Sequence, residues 1–448
     1  MLRGRVVRED ATARKWGDQM LATYFKLAEN KTDVKTEVLA GVTTFLTMAY
    51  IIFVNPLILG DAGMDKGAVF VATCLAASLA TAMMGLYANY PIALAPGMGL
   101  NAYFAYGVVN GMGVPWTVAL GAVFISGVLF LALTLTHVRE WIINSIPKAL
   151  KLSISAGIGL FLAIIALKNA GLVVENKATL VGIGNLKAPT TILACLGFFL
   201  MVGLDALRVR GAIMIAVLAV TVIGIVFGLS PFNGIASMPP SLAPTFMKMD
   251  VAGALSLGLV AVVFAFLFVD LFDNAGTLIG LAHRAGFLDK EGKLPRLRQA
   301  LVTDSAAAMG GAILGTSTTT SYIESAAGIK EGGRTGLTAL TVAALFLLAL
   351  FFAPLATTVP GYATAPALFF VACLMARGLA ELDWEDVTEY APGVVTAISM
   401  PLTFSIAHGI AFGFISYAGI KIAAGRFQDV SPVVAILAVL FIVKFALL

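Results

Sequence analysis

Charge is what this sequence has least of. Only 12% of its 448 residues are Asp, Glu, Lys or Arg, about half the share of a soluble globular domain, so a fold with a charged, water-facing skin is excluded. Histidine and cysteine are also scarce, three of each, and Cys74, Cys195 and Cys373 all lie inside apolar runs. A thiol in such a run is a small core hydrophobe, so neither a disulfide framework nor a metal site is expected. His-Glu-x-x-His and Gly-x-Ser-x-Gly are both missing, which removes the usual marks of an intramembrane hydrolase; no enzymatic activity and no cofactor are expected. The first 36 residues mix charges and lack an apolar core followed by a small-residue cleavage site, so they read as an amphipathic cytoplasmic leader and not as a signal peptide. The net charge of +4 says little, because in a membrane chain the distribution of Lys and Arg matters more than their sum. No nucleic-acid partner is expected.

Apolar residues fill the space that charge leaves, making up 59% of the chain. Runs of spanning length recur from residue 37 onward, each needing roughly 20 residues to cross the hydrocarbon. The chain is therefore a polytopic membrane protein whose backbone must close on itself as packed helices. With the N-terminus inside, the basic stretches His137 to Arg139, Arg208 to Arg210, His283 to Arg298, and Lys330 with Arg334 all fall on the inner side, as the positive-inside rule asks. Lys168, Lys177 and Lys187 fall outside by the same count. The two apolar runs at 408–424 and 431–447 admit two spans, a re-entrant hairpin, or one span and a surface helix; fourteen segments are favoured. Pro231 to Asp250 separates seven segments from the rest, where the halves of a duplicated transporter would join. Glu381 to Asp386, acidic with Trp384, reads as a surface helix at the membrane boundary.

Ionisable groups at membrane depth are functional candidates by default. Asp270 and Asp273 follow nineteen uncharged residues, Val251 to Val269. Their i, i+3 spacing places them on one helix face, with Thr277 one turn beyond Asp273. The competing reading is that one of them caps a neighbouring helix or pairs with an Arg. The stretch GTSTTTSYIESAAG, Gly315 to Gly328, has six consecutive Ser/Thr residues, which suit a continuous helix poorly. An extended piece and then a short half-helix are expected, with Glu324 near the half-helix start, where an anion is favoured; the alternative is a polar loop at the membrane surface. LAPGMGLNAYFAY, Leu94 to Tyr106, is the matching break in the first half. There Pro96 removes a donor, Gly97 and Gly99 release the chain from helical geometry, and Asn101 is expected to cap a second half-helix. Alternatively Pro96 merely kinks a packed helix. Two broken segments at corresponding places point to a binding site between them. Amides, carboxylates and nearby aromatics there suit a flat, neutral, polar heterocycle; an inorganic cation stays open, and a dianion fits badly among acids.

The runs TTFLTMAYIIFVNP (Thr43 to Pro56), ALAPGMGLNAYFAY (Ala93 to Tyr106), FVDLFDNAGTL (Phe268 to Leu278) and TSTTTSYIESAAGI (Thr316 to Ile329) resemble the AzgA-like purine permeases of the nucleobase–ascorbate transporter family. The resemblance implies an all-α fold of fourteen segments in two inverted repeats of seven, with short β-strands in broken segments 3 and 10. After the leader, 1–36, it implies a core domain from 37–136 (segments 1–4) and 251–356 (segments 8–11). A gate domain is implied from 137–250 (segments 5–7) and 357–448 (segments 12–14). It also implies proton-coupled import of adenine, guanine or hypoxanthine by elevator-like movement, with the proton ahead of Na+ as coupling ion. Carried over residue by residue, it assigns Asp273 and Glu324 to the base, with Asn101, Thr277 and Tyr322 beside them. Asp270, Glu324 and Asp304, the last in the polar turn Thr303 to Ser305, become the candidates for proton coupling. Where the uracil-type branch has a histidine one turn after the segment-8 acid, this chain has Thr277, and none of His137, His283 or His408 lies in either constellation. A bacterial inner membrane is compatible with the sequence, and the resemblance implies a homodimer through the gate domain. The alternatives are an anion or dicarboxylate carrier on the same fold and a purine sensor that does not transport.

Overall fold

The computed structural model describes residues 19–136, 145–256, 259–288 and 294–447. His137 lies outside these, as do the side chains of Asp273 and His283. The described chain is mostly helical, as expected. Helices α1 (Val34–Met48) and α2 (Ile51–Asp61) run on into each other, and α3 (Lys66–Met83) returns. Strand β1 (Leu94–Pro96) then leads into α4 (Met98–Ala102), which continues in wider π-type turns to Asn110, and α5 (Trp116–Leu135) follows. Next come α6 (Lys148–Asn169), strands β2 (Val173–Asn176) and β3 (Leu180–Ile183), α7 (Pro189–Ala206) and α8 (Ala212–Val226). The second half repeats the first in kind: α9 (Val251–Ala254), α10 (Val260–Ala285), α11 (Leu297–Leu314), β4 (Thr319–Ser321), α12 (Ser325–Lys330), α13 (Gly336–Ala349) and α14 (Ala353–Thr358). It closes with α15 (Gly361–Ala376), α16 (Val387–Thr403), α17 (Ile406–Ala423) and α18 (Pro432–Leu447). Among the described residues, eight helical stretches are long and apolar enough to cross a membrane.

The helices sort into two packed groups. One interleaves α1, α3, α5, α10, α11 and α13 around the two short strands, while the other gathers α6, α7, α8, α15, α16 and α17. They meet where α6 and α17 lie against α10, α6 against α4, and α2 against α15. Within the first group the halves are tied by polar bonds that apolar packing alone would not specify. Glu37, fully buried, accepts from the N–H groups of Arg334 (2.8 Å), Thr335 and Thr338 (both 3.2 Å) and from Thr338 Oγ1 (2.6 Å). This carboxylate on α1 thereby satisfies the unpaired amides at the start of α13 and meets the positive end of its dipole. Asn55 Nδ2 likewise donates to Thr73 Oγ1 (2.7 Å) and Thr316 Oγ1 (2.8 Å). Glycine is required where α13 begins: a Cβ on Gly336 would stand 1.9 Å from the carbonyl oxygen of Gly85.

Several expectations need correction. The β2–β3 hairpin, paired Val173 to Ile183 through Asn176 to Leu180, was not foreseen beside the strands of segments 3 and 10; Asn176 Oδ1 takes the amide of Ala178 at its turn, an Asx turn that needs no long signal. Glu381 to Asp386 is not a surface helix. After a single turn, Arg377–Glu381, the chain is non-helical to residue 386, because Asp383 and Asp386 bend it by accepting from the amides of Glu385 (3.1 Å) and Thr388 (2.9 Å). Thr303 to Ser305 is not a turn either: Asp304 sits inside the continuous helix α11 and is buried. The Thr303 and Ser305 hydroxyls bond carbonyls four residues back and leave the helix intact. The last two apolar runs form separate helices, α17 and α18.

Candidate functional site

Both expected breaks are present, and they meet. β1 and β4 pair antiparallel with Leu94 opposite Ser321, Ala95 opposite Thr320 and Pro96 opposite Thr319. Two flanking bonds lengthen the ribbon, Tyr322 N to Ala93 O and Gly97 N to Thr318 O, both 2.9 Å. A two-stranded pair of this length is marginal in water, but here it is enclosed by α3, α10 and α11. Its edge is satisfied too: the Thr81 hydroxyl accepts from Leu94 N and donates to Leu94 O, both at 2.9 Å. Unwound backbone is thus buried in protein with its polar groups paired, the condition for extended chain at membrane depth. Pro96, with no N–H to give, stands at the end of β1, and the β-branched run Thr318 to Thr320 forms β4.

This ribbon gathers three of the candidate residues. The Tyr322 hydroxyl donates to Pro96 O at 2.6 Å. Asn101, fully buried, accepts a hydrogen bond from the Ser317 hydroxyl, and its Nδ2 reaches toward the same Pro96 carbonyl at 3.5 Å. The expected capping role of Asn101 is therefore overturned: α4 begins three residues earlier, with Gly97 before it, and Asn101 lies within the helix. Its side chain instead ties the first break to the second. Glu324 immediately precedes α12, as expected, and is partly exposed. The Tyr50 hydroxyl donates to its Oε1 at 2.7 Å, and Thr47 Oγ1 reaches its carbonyl at 3.5 Å.

Helix α10 supplies the other acids and packs on β4, α12 and α4. Asp270 is buried at its middle, and Thr277, partly buried, follows about two turns on. Asp273 lies between them in the helix, but its side chain falls outside the described residues. Upstream on α10, Phe266 makes an edge-on contact with Tyr103 at 5.0 Å between ring centres, which adds an aromatic wall next to α4. Asp304 belongs to α11, which packs on both strands; Gly311, seven residues later on the same helix face, lies against Thr319. His408, on α17, rests against Phe445.

Tyr50, Ser317 and Thr47 were missed by sequence reasoning. A usable signal existed for Tyr50: a phenol inside an apolar run must find a hydrogen-bond partner, and Tyr50 is 1% exposed. Chemically the cluster offers carboxylates, which accept, and hydroxyls and a carboxamide, which both accept and donate. The described residues also line a cleft of about 300 Å³ between α2 and α15, with Asp61, Lys66, Tyr106 and Asn169; Tyr106 donates to Asp61 at 2.7 Å there. None of the sequence candidates lines it.

Comparison with known proteins agrees with this architecture. The chain is 51% identical over 433 residues to the adenine permease AdeP of Escherichia coli, covering 97% of each chain. It is 46% identical over 440 residues to the guanine/hypoxanthine permease PbuG of Bacillus subtilis, covering 96% of this chain and all of the relative. Among solved structures, the transmembrane domain of a cyanobacterium bicarbonate transporter, BicA, superposes with a TM-score of 0.63 at 17% identity, over 86% of this chain and 97% of that one. At that identity the likeness speaks for the fold alone. The family model described as "Permease family" (Xan_ur_permease) matches residues 35–412, and this chain belongs to that family.

Proposed function

We propose that this chain imports purine nucleobases, adenine, guanine or hypoxanthine, across the inner cell membrane by proton symport. The observation that carries the reading is the crossing of the two broken segments, where Glu324 is presented by Tyr50 beside a ribbon of paired backbone. The whole-length likeness to permeases named for adenine and for guanine/hypoxanthine supports the class of substrate. In this reading Glu324 and Asp273 accept the ring N–H groups, while Asn101 and Tyr322 shape the ribbon side of the site and Thr277 the α10 side. Asp270, Glu324 and Asp304 form the set through which a proton is taken up and released, ionisable groups at membrane depth being functional by default.

The helix group around the ribbon, 37–136 and 251–356, acts as the core that carries the base. The other, 137–250 and 357–448, acts as the gate against which the core slides, and the site as the surface that crosses. The N-terminus is cytoplasmic, and a homodimer forms through the gate. An anion carrier on this fold would place a cationic group at the crossing, where this chain has Glu324 and, on α10, Asp270 and Asp273.

The test is uptake of radiolabelled adenine, guanine, hypoxanthine and uracil in cells lacking their own permeases. Purines are expected to accumulate and uracil not, with Asp273→Asn and Glu324→Gln losing most of the uptake at normal expression. Accumulation unchanged when the proton gradient is collapsed would remove the coupling; no purine accumulation would remove the substrate.

A further inference from the structure

The buried face of α10 carries a polar side chain that the assignment above leaves idle. Asn274 is 0% exposed, and neither its Oδ1 nor its Nδ2 has a hydrogen-bond partner among the described residues. It stands one turn after Asp270 and one turn before Leu278 on the same helix face. Leu278 packs in one cluster with Leu94 of β1 and Ile329 of α12. The face therefore looks onto the crossing of the two broken segments, and α10 rests on β4 and α12 there. On β4 and just before it, the hydroxyls of Thr318, Thr319, Thr320 and Ser321 are likewise buried without a partner among the described residues. Interiors rarely hold a polar group in this condition, because its desolvation is not repaid. A leucine branches at the same carbon and, though larger, would carry no such desolvation cost.

We propose that Asn274 is a specificity-determining residue of the purine site, its carboxamide pairing with an edge of the base that presents one donor beside one acceptor. The proposal rests on the purine reading above and refines it. A carboxamide offers an acceptor oxygen and a donor nitrogen side by side. Adenine presents its exocyclic amino group beside a ring nitrogen, as in the pairing of Asn with adenine edges. Hypoxanthine and guanine present N1–H beside O6, which the same carboxamide meets after turning over by half a rotation. Asparagine at this place thus admits 6-amino and 6-oxo purines alike. A carboxylate in its stead only accepts, and matches the two adjacent donors of guanine, N1–H and the 2-amino group.

The experiment measures equilibrium binding of radiolabelled adenine, hypoxanthine and guanine to the purified full chain, together with ligand-free thermal stability. For Asn274→Leu, stability is expected to equal or exceed that of the parent while all three bases bind about tenfold weaker or worse, the worth of a lost bidentate pair. For Asn274→Asp, the guanine-to-adenine affinity ratio is expected to rise about tenfold. Unchanged binding in Asn274→Leu overturns the proposal; a drop in its stability, including failure to fold, reports the larger volume of leucine, and Asn274→Asp then decides. An unchanged base ratio for Asn274→Asp overturns the edge reading. A parent that binds none of the three bases overturns the purine reading itself; a parent that binds beside variants that match it overturns this proposal alone.

Discussion

The bond from Tyr50 to Glu324 allows the sharpest test of how the site is organised. Tyr50→Phe removes one oxygen and leaves the ring, so no cavity forms and the packing around this 1% exposed side chain is kept. What is lost is a 2.7 Å hydrogen bond to Oε1 of Glu324. A hydrogen bond to a charged group contributes about 1.5–3 kcal/mol net, against about 0.5–1.5 for a neutral pair. If Glu324 meets the base as a carboxylate held by Tyr50, purine affinity falls about ten- to a hundredfold in Tyr50→Phe. In the Glu324→Gln background the same hydroxyl donates to a neutral amide oxygen, and its removal costs about threefold to tenfold. The assay is therefore a double-mutant cycle on purine dissociation constants, with thermal stability recorded in parallel. Tyr50 acts through Glu324 only if its penalty shrinks when Glu324 is neutral. An equal penalty in both backgrounds, to within about 0.5 kcal/mol, would refute the positioning role, and so would an unchanged affinity in Tyr50→Phe alone.

Three further outcomes follow from the fold. Gly336→Ala drives a Cβ to 1.9 Å from the Gly85 carbonyl oxygen, backbone against backbone, so thermal unfolding in detergent should show a loss of about 1–3 kcal/mol or more; Gly203→Ala, whose Cβ meets nothing within 4 Å, should be neutral. Glu37→Gln turns an amide NH2 toward donors that now share one carboxylate, and should lower stability by about 2 kcal/mol or more in the same assay. Asp386, at the start of α16, is held down at about 2 by hydrogen bonds from Thr388 first and then Arg426. Its folded value lies below its unfolded one, so its contribution is full above about pH 4 and is lost as the pH falls toward 2. The stability gap between the parent and Asp386→Asn should accordingly be constant from neutral pH down to about 4 and close below it; a gap that does not narrow in acid would show that Asp386 owes nothing to its ionised form.

What the sequence made legible was the local physics of each break. Pro96 with its glycines, and the Ser/Thr run from Thr316 to Ser321, conflict with a continuous helix wherever they stand, so interruption and extended backbone followed from composition. Glu324 at the head of a half-helix followed from the same run. Pairings across the chain were hidden. Asn101 looked like a cap because caps are local, whereas its actual partner, Ser317, is 216 residues away. Tyr50 gave only the general demand of a buried phenol, with no indication that Glu324, 274 residues on, would meet it. Asp304 was misplaced for the opposite reason. Flanking Thr and Ser residues weaken a helix in isolation, but packing of α11 on α3 and α5 holds it straight, and tertiary burial overrides propensity.

The central claim is that a purine is held where the two broken segments cross. The direct test is a structure of the full chain solved with adenine or hypoxanthine bound. The base is expected between the β1–β4 ribbon and α10, with a ring nitrogen within hydrogen-bond distance of the Glu324 carboxylate. Density for the base in the cleft lined by Asp61, Tyr106 and Asn169, with the crossing closed and Glu324 bonded only to Tyr50, would contradict it.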